Sequence, residues 1–240
     1  MAAYTVALRE RVEVAEHTLG LSFDKPANFA FKAGQFLDMI LLNPSETDTE
    51  GNRRAFSIAS APHEGQLFFA TRLRQSAFKR VLSTMAVGSE VRIEGPFGNF
   101  VLHGDAARPA VFLAGGIGIT PFRSMVRRAS KEQLAHRLIL FYANRRPEDA
   151  PFLNELQALQ SENANYTFVP TMTAGGQRAR SWGGETGHIT QEMIARYVER
   201  SGGPVYYIAG PPAMVEATQK LLSQAGISDD DIRADEFAGY

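Results

Sequence analysis

The stretch LAGGIGITPFRSMV places glycines where an apolar run gives way to a helical pattern. Gly115, Gly116 and Gly118 fill this turn, and Pro121 follows in the first helical turn, where its missing N–H would be unpaired anyway. Glycine permits positive φ angles and a close approach of a ligand to the backbone. A helix N-terminus also offers unpaired N–H groups and a partial positive charge. The stretch therefore predicts a pyrophosphate site, with a tight turn that binds nothing as the alternative.

A second junction of this kind, YYIAGPPAMV, lies near the end of the chain. An apolar strand ends in Gly210, two prolines stiffen the turn, and a helical pattern follows. In open α/β sheets, ligands bind beyond the carboxyl ends of the strands. Two such junctions are therefore expected to flank one cleft, although a rigid corner without a ligand fits this motif equally well.

The stretch RRAFSIAS combines cations, an aromatic residue and hydroxyls in one strand pattern. Arg54 and Phe56 point to one face of this strand, and Ala55 and Ser57 point to the other. The planar guanidinium of arginine suits phosphate, and a phenyl ring offers a stacking surface. The combination indicates an elongated ligand with an anionic part and a flat aromatic part. The alternative is an edge strand with its arginine in solvent and its phenylalanine in the core.

Composition excludes several classes of chemistry. The 240 residues include no cysteine, so disulfides, Cys-ligated iron–sulfur clusters and cysteine nucleophiles are excluded. The net charge of −1 does not favour nucleic acid or an anionic membrane as partner. The five histidines lack metal-ligand spacing and no serine has a nucleophile-elbow context, so neither a metal site nor triad hydrolysis is expected. With no signal-peptide pattern and no apolar run of spanning length, we expect a cytoplasmic protein.

The elements that carry these motifs divide the chain in two. Short alternating segments separated by Gly, Pro, Asn and Asp predict an antiparallel β-barrel over residues 1–103. One helix capped by Ser76 interrupts it, and SETDTEGN (45–52) is expected to be a solvated hairpin loop. Strands then alternate with helices, which predicts a doubly wound parallel sheet over residues 104–240. Within it, AVFLAGG is predicted to be buried on both faces, with a helix over 121–129 after it.

Four motifs in order resemble the ferredoxin–NADP reductase superfamily: RAFS (54–57), GPFGNF (95–100), GGIGITP (115–121) and GPPAM (210–214). The closing DEFAGY resembles the aromatic C-terminus of that family. The resemblance spans nearly the whole chain. It implies that the barrel binds FAD and that the α/β domain binds NADPH or NADH.

The resemblance implies roles for individual residues. Arg54 would contact the FAD pyrophosphate, Phe56, in place of the usual tyrosine, would lie against the isoalloxazine, and Ser57 would lie near flavin N5. Ser57 and Glu236 are the predicted catalytic residues, the latter as a proton relay. The other implied FAD contacts are Ala55, Thr71, Arg72, Leu73, Gln75, Ser76, Phe237 and Tyr240. The implied nicotinamide-cofactor contacts are Gly115, Gly116, Gly118, Ile119, Thr120, Pro121, Asn144, Arg145, Arg146, Gly210, Pro211 and Met214.

The resemblance implies a reductase that passes electrons to a separate one-electron acceptor such as ferredoxin, flavodoxin or another iron–sulfur protein. Arg145 and Arg146 favour NADPH over NADH, because the 2′-phosphate calls for a cation, and Arg178 and Arg180 are further candidates. Two alternatives stay open. One is a flavin reductase that uses flavin as a diffusible substrate, and the other is an electron-relaying subunit of a larger complex.

Overall fold

The computed structural model describes residues 2–174, 182–198 and 202–237. Its first part is a six-stranded antiparallel sheet in the order β4-β3-β6-β1-β2-β5. The elements are β1 (Ala3–Ala15), β2 (Thr18–Asp24), β3 (Phe36–Leu41), β4 (Arg53–Ser57), β5 (Gln66–Arg72), α1 (Ala77–Thr84) and β6 (Glu90–Phe97). The N–H of Ala59, just after β4, donates to the carbonyl of Phe68 in β5 at 2.8 Å. This bond joins the first and last strands of the order and closes the sheet into a barrel.

Side chains alternate between the two faces of each strand, and those on the inner face fill the barrel. Leu8, Leu21 and Phe23 are fully buried, as one face of each strand turns inward. Helix α1 closes one end of this core with Phe78 and Leu82. The hydroxyl of Ser76 accepts a hydrogen bond from the N–H of Lys79 at 3.3 Å, which confirms the predicted N-cap.

The second part is a six-stranded parallel sheet in the order β10-β9-β8-β7-β11-β12. The elements are β7 (Ala110–Gly115), α2 (Ile119–Glu132), β8 (Leu138–Asn144), α3 (Leu153–Glu162), β9 (Tyr166–Met172), β10 (Glu185–Thr186), α4 (Gln191–Tyr197), β11 (Val205–Gly210), α5 (Pro212–Gln224) and β12 (Ile232–Glu236). The predicted fold class, an antiparallel barrel followed by a doubly wound parallel sheet, is confirmed.

Strand β7 is buried on both faces, as its unalternating apolar run predicts. Phe112 packs with Phe122 of α2 in one core cluster, while Leu113 lies with Ile208 in the other. Parallel strands covered by helices on both sides require this composition. Every residue of β7 is consequently buried.

Helix α2 is longer than the sequence predicts. It begins at Ile119 and ends at Glu132, so that Pro121 is its third residue. A single 3₁₀ turn over Gly116–Gly118 leads directly into it, which moves the start towards the strand. Gln133, in the left-handed conformation at φ 49°, ends the helix.

The barrel and the α/β domain are joined by a polar contact under α2. The guanidinium of Arg123 donates to the carbonyl of Ala59 at 2.8 Å, and it pairs with Glu155 at 2.9 Å and with Glu64 at 3.3 Å. The first sheet ends at Phe97 and the second begins at Ala110. The division between residues 103 and 104 stays a prediction. Within the described ranges, no helix combines the length and the apolar character needed to cross a membrane.

Candidate functional site

A cleft of about 520 Å³ opens on the barrel between β4, the start of α1 and the end of β12. We call it the barrel cleft. Its lining includes Phe36, Glu50, Arg54, Ala55, Phe56, Ser57, Arg74, Ser76, Phe78, Lys79, Asp235, Glu236 and Phe237. The structure therefore brings the strand RAFS, the helix cap and the end of the last strand together, although they are far apart in sequence.

Arg54 is held by the acidic loop that precedes its own strand. Its Nη2 lies 3.2 Å from a carboxylate oxygen of Asp48 and 2.8 Å from one of Glu50. The other oxygen of Asp48 accepts the N–H of Ala77, the first residue of α1, at 2.9 Å. Desolvation alone would raise the pKa of Asp48, but the N–H groups of Ala77 and Glu50, with Arg54, outweigh it and hold the pKa below its ordinary value. The loop over 45–52 is the predicted hairpin loop, but it docks on α1 instead of standing free in solvent.

Lys79 is the most deeply placed cation of the barrel cleft. Its side chain is buried in the first turn of α1, three residues after the cap. Burial, together with the guanidiniums of Arg74 and Arg54, lowers the pKa of Lys79 to about 8. A lysine is easier to deprotonate where cations crowd it and water is excluded. The cleft therefore favours an anionic ligand, which would relieve this repulsion.

The aromatic surface of the cleft differs from the sequence expectation. Phe56 is 3% exposed, and its ring packs on Phe69 and Phe78 with centroids 6.1 and 6.0 Å away. Most of this ring belongs to the barrel core, which leaves little of it for stacking. Phe36 and Phe237 are only half-buried and also line the cleft. These two rings are better placed to cover a flat ligand.

Two acids end strand β12 beside the cleft. Asp235 pairs in register with Ala209, and Glu236 pairs with Gly210. Glu236 is exposed, whereas Asp235 is half-buried and burial raises its pKa. A carboxyl that keeps its proton closer to neutral pH is the better proton relay. On this ground Asp235 suits the role that the sequence assigns to Glu236.

A second cleft of about 820 Å³ lies between the two domains, and we call it the interdomain cleft. Both glycine-rich junctions face it, with Gly115 and Gly116 on one side and Pro211 and Met214 on the other. Gly116 has a φ of 54°, which a residue with a side chain rarely adopts. A Cβ on Gly118 would collide with the carbonyl of Ala209, so the two junctions touch through bare backbone. Arg74 lines both clefts, which places them side by side.

Asn144 ends β8 in this cleft with an unusual side chain. It is 5% exposed, and neither its amide oxygen nor its amide nitrogen makes a hydrogen bond of normal geometry among the described residues, although its side chain interacts with the hydroxyl of Tyr142. A buried amide that is poorly satisfied is costly, and Asn144 lines the cleft. A bound ligand with polar edges, such as a nucleotide, would satisfy it. Together with the glycine junctions, Asn144 fits a dinucleotide.

The two arginines after Asn144 have different surroundings. Arg146 pairs with Asp149 through two hydrogen bonds of 2.9 and 2.8 Å, and with Glu16 of the β1–β2 hairpin. These bonds to Asp149 and Glu16 raise the pKa of Arg146. No hydrogen bond or ion pair ties the guanidinium of Arg145 to any residue within 2–174, 182–198 or 202–237, and Arg145 lines the cleft. Of these two arginines, Arg145 is thus the one that remains available to a ligand.

Arg72 belongs to the interdomain cleft and not to the barrel cleft. Its guanidinium donates to the carbonyls of Asp149, at 2.6 Å, and Glu16, at 3.4 Å. Leu73 lies beside it in the same cleft. These contacts link the domains, so the predicted phosphate contact of Arg72 in the FAD segment stays a prediction that its position does not favour.

The other predicted residues divide into three groups. The first group, already described, lines one of the two clefts. Residues that line neither cleft are Thr71, Gln75, Gly118, Ile119, Thr120, Pro121 and Gly210. Most of these form the strand end, the turn and the first helical turn behind the lining, where Thr120, for example, donates to the carbonyl of Ile117 at 3.1 Å. Tyr240, like Arg178 and Arg180, lies outside the described residues.

Sequence reasoning missed Asp48 and Asp235 as parts of the site, and it considered Lys79 only as one of several basic residues that could serve FAD or steer an acidic partner. Lys79 had a signal, since a residue three positions after an N-cap lies in the same helical turn. Asp235 had a weaker one, because neighbours in a strand face opposite sides and only one of two adjacent acids can turn inward. Asp48 had none, as its contact with Ala77 spans 29 residues.

The fold and the two clefts define a two-domain nucleotide-binding protein. A family model described as the oxidoreductase NAD-binding domain matches residues 112–220. Ferredoxin–NADP reductase B of Sorangium cellulosum is 31% identical over 84% of this chain and 83% of its own length. The reductase component of propane 2-monooxygenase from Rhodococcus jostii is 28% identical over 92% of this chain, which spans 59% of that protein. The structure of a ferredoxin NADP⁺ reductase from Neisseria gonorrhoeae superimposes with a TM-score of 0.80 at 20% identity, covering 98% of this chain and 99% of that one.

The likenesses to the relatives and to the solved structure extend over both domains, and the family model lies within the second. The chain belongs to the ferredoxin–NADP reductase family. The resemblance carried by the four motifs is confirmed.

Proposed function

We propose that the chain is an NAD(P)H-dependent flavoprotein reductase with FAD in the barrel cleft and the nicotinamide cofactor in the interdomain cleft. The observation that carries this proposal is that the two clefts adjoin at Arg74. Each cleft by itself suits a nucleotide, and their contact allows two nucleotides to meet. The structure of the Neisseria gonorrhoeae reductase, which shares this fold, contains bound FAD and NADP.

In the barrel cleft, Arg54, Arg74 and Lys79 would hold the phosphates of FAD, together with the N-terminus of α1. Phe36 and Phe237 would cover its ring system. When bound, FAD supplies the ability to take up two electrons together and to release them one at a time. The protein's own contribution is proximity, orientation and the exclusion of water. Burial raises the pKa of Asp235 beside the cleft, and the hydroxyl of Ser57, which is 8% exposed, also lines it.

In the interdomain cleft, the glycine turn before α2 would hold the pyrophosphate of the nicotinamide cofactor, and Asn144 would hydrogen-bond to it. Arg145 would contact a 2′-phosphate, which favours NADPH over NADH. The acceptor would be a separate one-electron carrier. Two relatives support this through their names, since one is a ferredoxin reductase and the other is the reductase component of an oxygenase.

The test begins with purified protein that is incubated with FAD and then freed of unbound flavin. We expect a yellow sample that oxidises NADPH with ferricyanide as artificial acceptor. Protein that takes up no flavin would refute the proposal. Protein that retains FAD but oxidises neither NADPH nor NADH would instead be an electron-relaying subunit.

A second function, reduction of free flavin, is favoured by one observation. Asp48 occupies the N–H of Ala77 and the guanidinium of Arg54, which lowers the affinity expected for a flavin phosphate. Steady-state oxidation of NADPH with riboflavin in excess separates the two functions. A rate that saturates with riboflavin, in protein that retains no FAD, would identify a flavin reductase.

A further inference from the structure

The acidic loop over 45–52 reaches from the β3–β4 hairpin to the mouth of the barrel cleft. One carboxylate oxygen of Asp48 accepts the N–H of Ala77 at 2.9 Å, and the other lies 3.2 Å from Nη2 of Arg54. A helix N-terminus and a guanidinium are the two donors that a phosphate group uses. A carboxylate of the chain itself therefore stands where an anionic ligand would bind.

The loop engages nearly the whole guanidinium of Arg54. Besides the two carboxylates, Nη1 donates to the carbonyls of Glu50 at 2.8 Å and of Arg53 at 2.7 Å. Such a guanidinium has few donors left for a further anion. A phosphate can bind Arg54 fully only by replacing contacts that the loop now makes.

The loop can leave without disturbing the core. None of the residues 45–52 is buried. At its base, the side chain of Asn52 donates to the carbonyl of Leu41 at 2.8 Å, and the N–H of Leu41 donates back to Asn52 at 2.9 Å. These bonds fix the hairpin while the tip is held only by polar contacts. Segments with few buried apolar contacts open at low free energy.

We propose that the 45–52 loop is an internal competitor for the flavin phosphates. Asp48 occupies the phosphate donors of the barrel cleft, and it leaves them when a flavin nucleotide binds. This inference rests on the proposed function. Its consequence is that Asp48 stabilises the flavin-free protein and weakens its affinity for FAD, two effects of opposite sign.

The test compares flavin dissociation constants of the wild type and of Asp48→Asn by fluorescence titration. We expect the substitution to tighten FAD about tenfold, equivalent to ~1.4 kcal/mol, because a neutral amide competes less well. Riboflavin, which has no phosphate, should bind both proteins equally. The melting temperature of flavin-free Asp48→Asn should fall. Glu46→Gln is the matched control, since Glu46 lies in the same loop but pairs with Arg80, at 2.9 Å, outside this contact.

An unchanged or weaker affinity of Asp48→Asn for FAD would overturn the inference, as would equal tightening of riboflavin. If Asp48→Asn does not fold, hydrogen exchange of the wild type decides the question. The amide of Glu50, which donates to Asp48 at 3.1 Å, should lose protection when FAD binds, while the amide of Ala77 keeps it. Equal protection of the Glu50 amide from hydrogen exchange, with and without FAD, would refute the proposed competition by Asp48. Failure of every protein to bind FAD or riboflavin would refute the proposed function itself, and the inference with it.

Discussion

Raising the pH through about 8 is expected to weaken FAD binding, because Lys79 loses its charge there. Burial and the neighbouring Arg74 and Arg54 hold the pKa of Lys79 near this value in the flavin-free protein. A bound pyrophosphate would add negative charge beside Lys79 and raise its pKa. Affinity is therefore fully present below the pKa of the free protein and is lost as the pH rises above it.

The size of the effect follows from this pKa. One unit below it about nine-tenths of the Lys79 side chains are charged, and one unit above it about one-tenth are, by the ordinary titration relation. If the bound state keeps the charge throughout, the dissociation constant of FAD rises about tenfold over that interval, or ~1.4 kcal/mol. Riboflavin, which carries no phosphate, should show no such dependence.

The assay is fluorescence titration of FAD at several pH values across this range. Lys79→Met should bind FAD more weakly at low pH and give a flat profile, and Lys79→Arg should give a flat profile at higher affinity. Lys220→Met, a substitution on the exposed face of α5, should retain the wild-type profile. A wild-type affinity for FAD that is constant across the range would refute this account of Lys79.

Three further outcomes are expected. Arg145→Ala should raise the KM for NADPH about tenfold, the scale of one charge-assisted contact, and leave that for NADH nearly unchanged in steady-state assays. Arg123→Ala should lower the free energy of unfolding by about 3 kcal/mol in denaturant titrations, because it leaves carboxylates and a carbonyl without their partner. Arg128→Ala, which removes an exposed pair on the same helix, should cost less than ~1 kcal/mol. Lowering the pH below about 6.5 should destabilise the protein through His103, whose pKa is lowered by burial.

The sign for His103 follows from its burial. The carbonyl of Arg108 lies 3.0 Å from Nε2 and by itself raises the pKa of His103, but desolvation of the ring outweighs it. The folded state therefore favours the neutral ring. Its stability is complete above the unfolded pKa and falls as the pH drops towards the folded one. His103→Asn should have a shallower decline of melting temperature with acid, and an unchanged decline would contradict this assignment.

Two results would contradict the predictions for Arg145 and Arg123. A proportional rise of both KM values in Arg145→Ala would show that this residue does not read the 2′-phosphate. Equal losses of stability in the Arg123 and Arg128 variants would show that the contact under α2 is no stronger than a surface pair.

The sequence predicts the fold because both domains follow simple periodicities. Alternation over two residues marks the barrel strands, and the uniform apolar run of β7 follows from its burial between two layers of helices. The cap at Ser76 depends on residues three positions apart, which makes it visible in the sequence. Local patterns of this kind are enough to predict the strands, the helices and the motifs.

The same rules do not reach contacts between distant segments. Periodicity assigns Phe56 to a face of its strand, but it does not tell whether that face meets the core or a cleft. The pairing of Arg146 with Glu16 spans 130 residues, and of these two neighbouring arginines it leaves Arg145 as the candidate for a phosphate. Similarly, the docking of Asp48 on α1 depends on how a hairpin loop folds over a helix. These contacts arise from tertiary packing, which no local pattern encodes.

If two nucleotides meet where the barrel and interdomain clefts adjoin, electrons must pass directly from NADPH to bound FAD. We would mix the FAD-loaded protein anaerobically with NADPH at several concentrations in excess and follow the visible absorbance of the flavin. We expect complete bleaching in a single first-order phase whose rate saturates with NADPH concentration. Bound FAD that stays oxidised with both NADPH and NADH would contradict this direct transfer.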